Sequence, residues 1–107
     1  MHENLLSLYQ PDGDERVGLI MADGSLTEVA NIHQMPSEHF DVSAEDLIKY
    51  CEGAIGTFHT HPGRTNNLSV NDQQAFLAWP HLTHYIVGSD GVQAYVVEGH
   101  IVVKNAA

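Results

Sequence analysis

Gly56-Thr57-Phe58-His59-Thr60-His61-Pro62-Gly63-Arg64-Thr65-Asn66-Asn67-Leu68-Ser69-Val70-Asn71-Asp72 opens as a strand and closes as the start of a helix. Thr57-Phe58, with the preceding Ala54-Ile55, reads as a short strand buried on both faces that runs into a His-x-His pair. Side chains alternate along a strand, so His59 and His61 share one face while Phe58 and Thr60 share the other. Residues two apart on an extended chain are separated by about 7 Å. Imidazoles reaching from there can converge on one ion at about 2.0–2.1 Å per bond. Pro62-Gly63 ends the strand, a polar loop follows, and Ser69-Val70-Asn71-Asp72 starts a helix that would aim a carboxylate back toward the imidazoles. Two His and one Asp make three ligands and leave a fourth tetrahedral position for water, the layout of a catalytic zinc.

Outward from this stretch, the chain alternates short helices and strands. Asn4 to Tyr9 places Leu5, Leu8 and Tyr9 at helical spacing, and Pro11-Asp12-Gly13-Asp14 ends that element. Val17 to Met21 is apolar throughout and reads as a buried strand. Asp23-Gly24 signals a hairpin returning through Leu26 to Ile32. His33 to Phe40 reads as a loop, with His33 and His39 on its surface. A second helix starts at the Ser43-x-x-Asp46 signal, with Leu47, Ile48 and Cys51 as its inner face and Gly53 as its stop. The third helix, about Ser69 to Ala78, carries an uneven apolar face of Val70, Gln73, Phe76 and Leu77 before Pro80. Three further strands follow, Leu82 to Val87, Val92 to Val97 and Ile101 to Val103, separated by turn signals. The order α-β-β-α-β-α-β-β-β predicts an α/β domain of three layers, one mixed sheet with helices on both faces.

Composition narrows the function. The chain has 107 residues, 43% of them hydrophobic, with 4 basic against 14 acidic side chains and a formal charge of −10. That balance argues against nucleic acid and anionic lipid as partners. No apolar run approaches the ~20 residues of a membrane span, and Met1-His2-Glu3-Asn4 lacks a signal-peptide start, so a cytoplasmic location is expected. Cys51 is the single cysteine, which excludes a disulfide framework and reads as a small buried hydrophobe.

The run His59-x-His61, seven residues, then Ser69-x-x-Asp72 resembles the zinc metalloprotease motif of the JAB/MPN/Mov34 family, also called JAMM. That motif includes an upstream glutamate before an apolar strand, and Glu15-Arg16-Val17-Gly18-Leu19-Ile20 takes its place. The resemblance runs from Glu15 to the last strand. Val17 stands where Cys is common, Thr60 where Ser is usual and Leu68 where Pro is frequent; none of these is a ligand. The resemblance implies a cytidine-deaminase-like three-layer fold and one zinc ion held by His59, His61 and Asp72. It also implies Glu15 as general base and Ser69 as oxyanion donor. Family relatives cleave peptide or isopeptide bonds at the Gly-Gly tails of ubiquitin-like proteins, process sulfur-carrier proteins, or belong to phage tail tips. At this length a compact prokaryotic or phage-type member fits better than a ubiquitin-chain enzyme with insertions.

Each site residue also has a plainer reading. Ser69-x-x-Asp72 is a helix-start signature, and Ser43-x-x-Asp46 shows the chain using one where no metal is expected. Glu15 belongs to an acidic turn, where an exposed carboxylate is the commonest outcome; Asp14 is the alternative base. A non-catalytic MPN-type scaffold is the rival function, although such members usually lose ligands and this chain keeps all of them. A zinc nucleobase deaminase would need His-x-Glu and Pro-Cys-x-x-Cys, which are absent.

Overall fold

Strand β1 (Val17–Met21) turns at Asp23-Gly24 into β2 (Leu26–Val29), with Gly24 at a φ of 86° that a side chain rarely adopts. The computed structural model describes residues 2–105. It adds helix α1 (His2–Leu6), helix α2 (Ala44–Tyr50), strand β3 (Ala54–Thr60), helix α3 (Val70–Ala78) and strands β4 (Thr83–Gly88), β5 (Gly91–Glu98) and β6 (Ile101–Asn105). The strands form one six-stranded sheet in the order β2-β1-β3-β4-β5-β6. β3 and β4 run parallel and every other pair is antiparallel, so the sheet is mixed. A parallel pair needs a crossover, and α3 supplies it. The chain is therefore a mixed α/β protein with the element order expected.

Strand alternation sorts the core into two halves. Ile20, Phe58 and Val87 face one side, where Leu5 of α1 completes a buried cluster with Leu8 and Tyr9 packed against it. Ile86 and Tyr95 face the other side and meet Phe76 of α3. Phe58 lies across Gly18, its register partner; a Cβ there would collide with the Phe58 ring and the Thr27 carbonyl.

α2 departs from expectation. None of its residues is fully buried: Ile48 is 78% exposed, and Cys51 is exposed rather than a core hydrophobe. Leu47 is the side chain that turns inward, and beneath it lies a cavity of about 230 Å³ shared with Val17, Leu19, Phe40, Phe76 and Trp79. α3 also faces differently, since Val70 and Leu77 are exposed and Gln73 lies outward. Its inward side is Asp72 and Phe76, one helical turn apart. Ile55 is exposed because β1 pairs Met21 with Ala54 and Ile20 with Gly56, so Ile55 is an extra, bulged residue. β2 stops at Val29, leaving Ile32 exposed.

Next to the candidate site, His84 is buried and stacked on Phe76 at 4.2 Å between ring centroids. Its Nε2–H donates to the Trp79 carbonyl and its Nδ1 accepts from the Thr57 hydroxyl. Burial holds its pKa down at about 4, below the ordinary 6.5. Between those two values the unfolded chain binds the proton more readily. The stability carried by neutral His84 is thus present above pH 6.5 and lost as pH falls toward 4. Among the described residues no helix is long and apolar enough to cross a membrane.

Candidate metal centre

Pairing of β1 with β3 assembles the site. Val17 lies opposite His59, and the ladder continues one residue further: Thr60 N–H donates to the Arg16 carbonyl and Arg16 N–H donates to the Thr60 hydroxyl, both at 2.9 Å. One more step puts Glu15 alongside His61. Glu15, Val17, His59 and His61 therefore share the α3 face of the sheet by alternation.

α3 brings Asp72 to the same place. Ser69 caps the helix: its hydroxyl accepts from Asp72 N–H at 3.1 Å, while Ser69 N–H donates to Asp72 Oδ2 at 3.0 Å. This reciprocal box fixes the carboxylate, which reaches His59 Nε2 through Oδ1 at 2.8 Å and His61 Nε2 through Oδ2 at 3.1 Å. The two Nε2 atoms are 3.2 Å apart. His59, His61 and Asp72 are each at most 3% exposed. Ser69 and Asp72 are thus a genuine helix start, and that same start delivers the third candidate ligand.

Glu15 is not an exposed turn carboxylate. It is 2% exposed, its Oε2 accepts from Arg64 Nη2 at 2.6 Å, and its Oε1 is buried with no hydrogen-bond partner among the described residues. One of its carboxylate oxygens lies within 4.8 Å of a ring nitrogen of both His59 and His61. Asp14, the alternative base, is exposed. Burial pushes the Glu15 carboxyl up to about 7, against the downward pull of the Arg64 hydrogen bond and the nearby His61.

Thr65 O can only accept, so the His61 Nδ1 that lies 2.8 Å from it carries the hydrogen. Neutral His61 then presents a bare Nε2 to the Asp72 carboxylate and to His59 Nε2. Lone pairs meeting at this distance need a proton or a metal ion between them. A ligating His whose other nitrogen donates to a backbone carbonyl is the usual arrangement at a metal. Without the ion, protons fill the gap: burial opposes a charge on His61, but the bonds to Asp72 and Thr65 outweigh it and raise its pKa. Burial lowers His59 despite its bond to Asp72. Burial would raise Asp72, but hydrogen bonds from His59 and His61 hold it well below the usual carboxylate range. With the orphaned Glu15 Oε1 beside them, the donor atoms of Glu15, His59 and His61 lie within 4.8 Å of one another, close enough to hold a metal ion.

Several neighbours carried no signal in the sequence. Phe40 packs against His59 with the rings tilted and their centroids 4.4 Å apart, and the segment leading to it folds around Asn31, whose amide donates to the carbonyls of Glu15, Pro36 and His39. His33 and His39 are half-buried rather than surface residues. Their rings tilt together at 5.0 Å, and His39 Nδ1 accepts from the Asn71 amide at 2.8 Å. Arg64 was readable only as a residue of a polar loop, because its partner is 49 positions away.

No protein-family model matches the chain, and no curated protein does. Among solved structures it is similar to the solution structure of protein DSY2949 from Desulfitobacterium hafniense. The TM-score is 0.71 and the sequence identity 21%, over 96% of this chain and 84% of that one. At that identity the likeness establishes the fold alone.

Proposed function

We propose that the protein is a zinc-dependent hydrolase of peptide or isopeptide bonds, of the JAB/MPN (JAMM) type. The observation that carries the reading is the convergence of His59, His61 and Asp72 beside a buried carboxylate oxygen, Glu15 Oε1, that has no partner. A bound zinc ion would act as a Lewis acid toward a carbonyl oxygen and lower the pKa of a water to about 7.

The chain's own groups supply the rest. His59, His61 and Asp72 would hold the ion. Thr65 O fixes the His61 tautomer, and the Ser69 cap fixes Asp72. Glu15 Oε1 takes the proton of the attacking water and returns it to the leaving amine, as a general base and then a general acid. The Ser69 oxygen already accepts from Asp72 N–H, which leaves its own hydrogen free to meet a developing oxyanion. The substrate class follows from the motif resemblance: the C-terminal tail of a ubiquitin-like or sulfur-carrier protein, or a peptide met by a phage tail.

The direct test is metal content. Protein refolded with zinc and desalted should retain one zinc per chain by elemental analysis, and anomalous scattering at the zinc edge should place it between His59, His61 and Asp72. Digestion of a peptide library and of Gly-Gly-terminated fusions then separates an enzyme from a scaffold. A metal-replete protein with no ion at these residues sinks the proposal.

Ser69 has two separable duties. Ser69→Ala should reduce stability by about 1 kcal/mol through the lost cap and reduce kcat by about 10²–10³ through the lost oxyanion donor, with zinc retained. Should denaturant unfolding shift while turnover does not, Ser69 is a cap and nothing more.

A further inference from the structure

The geometry allows two ligand sets. Glu15, His59 and His61 present donor atoms within 4.8 Å of one another, and Asp72 is in hydrogen-bond contact with both imidazoles. Glu15 and Asp72 therefore both present a carboxylate to the same two imidazoles, and an ion held by His59 and His61 could draw on either. A carboxylate that falls onto the metal is lost as a base and closes the position that a catalytic site keeps open.

Arg64 is the residue placed to prevent this. Its Nη2 holds Glu15 Oε2 at 2.6 Å. Its backbone is pinned at both ends, with Arg64 N–H donating to the His61 carbonyl at 3.1 Å and Ser89 N–H donating to the Arg64 carbonyl at 2.8 Å. The guanidinium thus pulls Glu15 from a loop anchored both to a candidate ligand and to the turn between β4 and β5. Only Oε1 remains unpaired.

We propose that Arg64 is a positioning residue that keeps Glu15 a base instead of a fourth metal ligand, and so holds one coordination position open. The inference rests on the zinc-hydrolase reading above and predicts an unusual direction of effect. Losing an arginine that only braces the loop would weaken metal binding or leave it unchanged. Losing one that restrains Glu15 should tighten it.

The test uses zinc and cobalt rather than turnover. Arg64→Ala should lower the zinc Kd, measured by chelator competition, by about tenfold or more, on the scale of partners one layer beyond the ligands. Cobalt-substituted wild type should change its visible spectrum when acetohydroxamate is added, because a position is open; cobalt-substituted Arg64→Ala should not. Removing a positive charge beside a cation would also tighten binding, so the comparison is repeated in a Glu15→Gln background. There the gain should shrink to the part due to charge alone, because the amide is a poor ligand. Arg64→Met, which keeps the apolar stem and lacks the donors, serves if the alanine variant does not fold. An unchanged or weaker zinc Kd in Arg64→Ala overturns the inference, as does a gain of undiminished size with Glu15→Gln. Either result leaves the hydrolase reading intact when wild type binds zinc. A wild type that takes up neither zinc nor cobalt overturns both.

Discussion

Glu15→Gln should leave zinc binding in place and remove nearly all hydrolysis, a loss of about 10²–10⁴ in kcat for a general base. Gln keeps the size of the side chain and an oxygen for Arg64, but it cannot accept a proton at neutral pH. The effect should be confined to turnover, because Oε1 makes no hydrogen bond that the amide would break. Steady-state kinetics on a cleavable Gly-Gly fusion, alongside zinc content, is the measurement. If the variant is as active as the parent, Glu15 is not the base. The exposed carboxylate of Asp14 would then be no better placed to reach the imidazoles.

Asp72→Ala should be the most damaging single substitution to the centre. It removes the acceptor between two buried imidazoles and half of the box that starts α3. Leaving a buried polar group without its hydrogen-bond partner costs about 1–3 kcal/mol, and here two imidazoles and the Ser69 N–H lose theirs. The variant should unfold at markedly lower urea concentration even without metal, and added zinc should no longer raise its midpoint. Asp72→Asn divides the two roles, because the amide oxygen can still accept from Ser69 N–H. Near-parental stability of the metal-free asparagine variant, with zinc affinity lost, would assign the charge to the metal and the shape to the cap. Zinc affinity surviving in Asp72→Ala would remove Asp72 from the ligand set.

What the sequence revealed and what it hid divide along physical lines. The strand ends and turns were legible because Asp23-Gly24, Gly53 and Pro80 constrain the backbone locally. The shared face of His59 and His61 followed from alternation alone. On the helix faces hydrophobicity is a poor proxy for burial. Val70 and Leu77 lie outward because Asp72 and Phe76 take the inward side, and a buried Asp is a choice that apolar counting cannot make. Ile48 and Cys51 are exposed for a related reason: a seven-residue helix over a cavity has little to pack against. The burial of Glu15 depends on the strand register, and its bond to Arg64 on a contact across 49 positions. Neither can be read from a neighbourhood of the chain.

The spacing of these groups along the chain bears on how the centre comes together in time. His61 and Asp72 are 11 positions apart, whereas Glu15 and Arg64 are 49. Closing the longer loop costs roughly 1 kcal/mol more in chain entropy, and Glu15 arrives only when β1 docks on β3. The half proposed to hold the metal can therefore assemble while the half proposed to handle protons is still unfolded. A nascent or partly unfolded chain that captures zinc in this way would be loaded but inert. Metal added to refolding protein should accelerate the phase that forms β3 and α3 and leave the later docking of β1 unchanged, which site-specific hydrogen exchange during refolding can resolve. If both phases respond equally to zinc, the two halves form together.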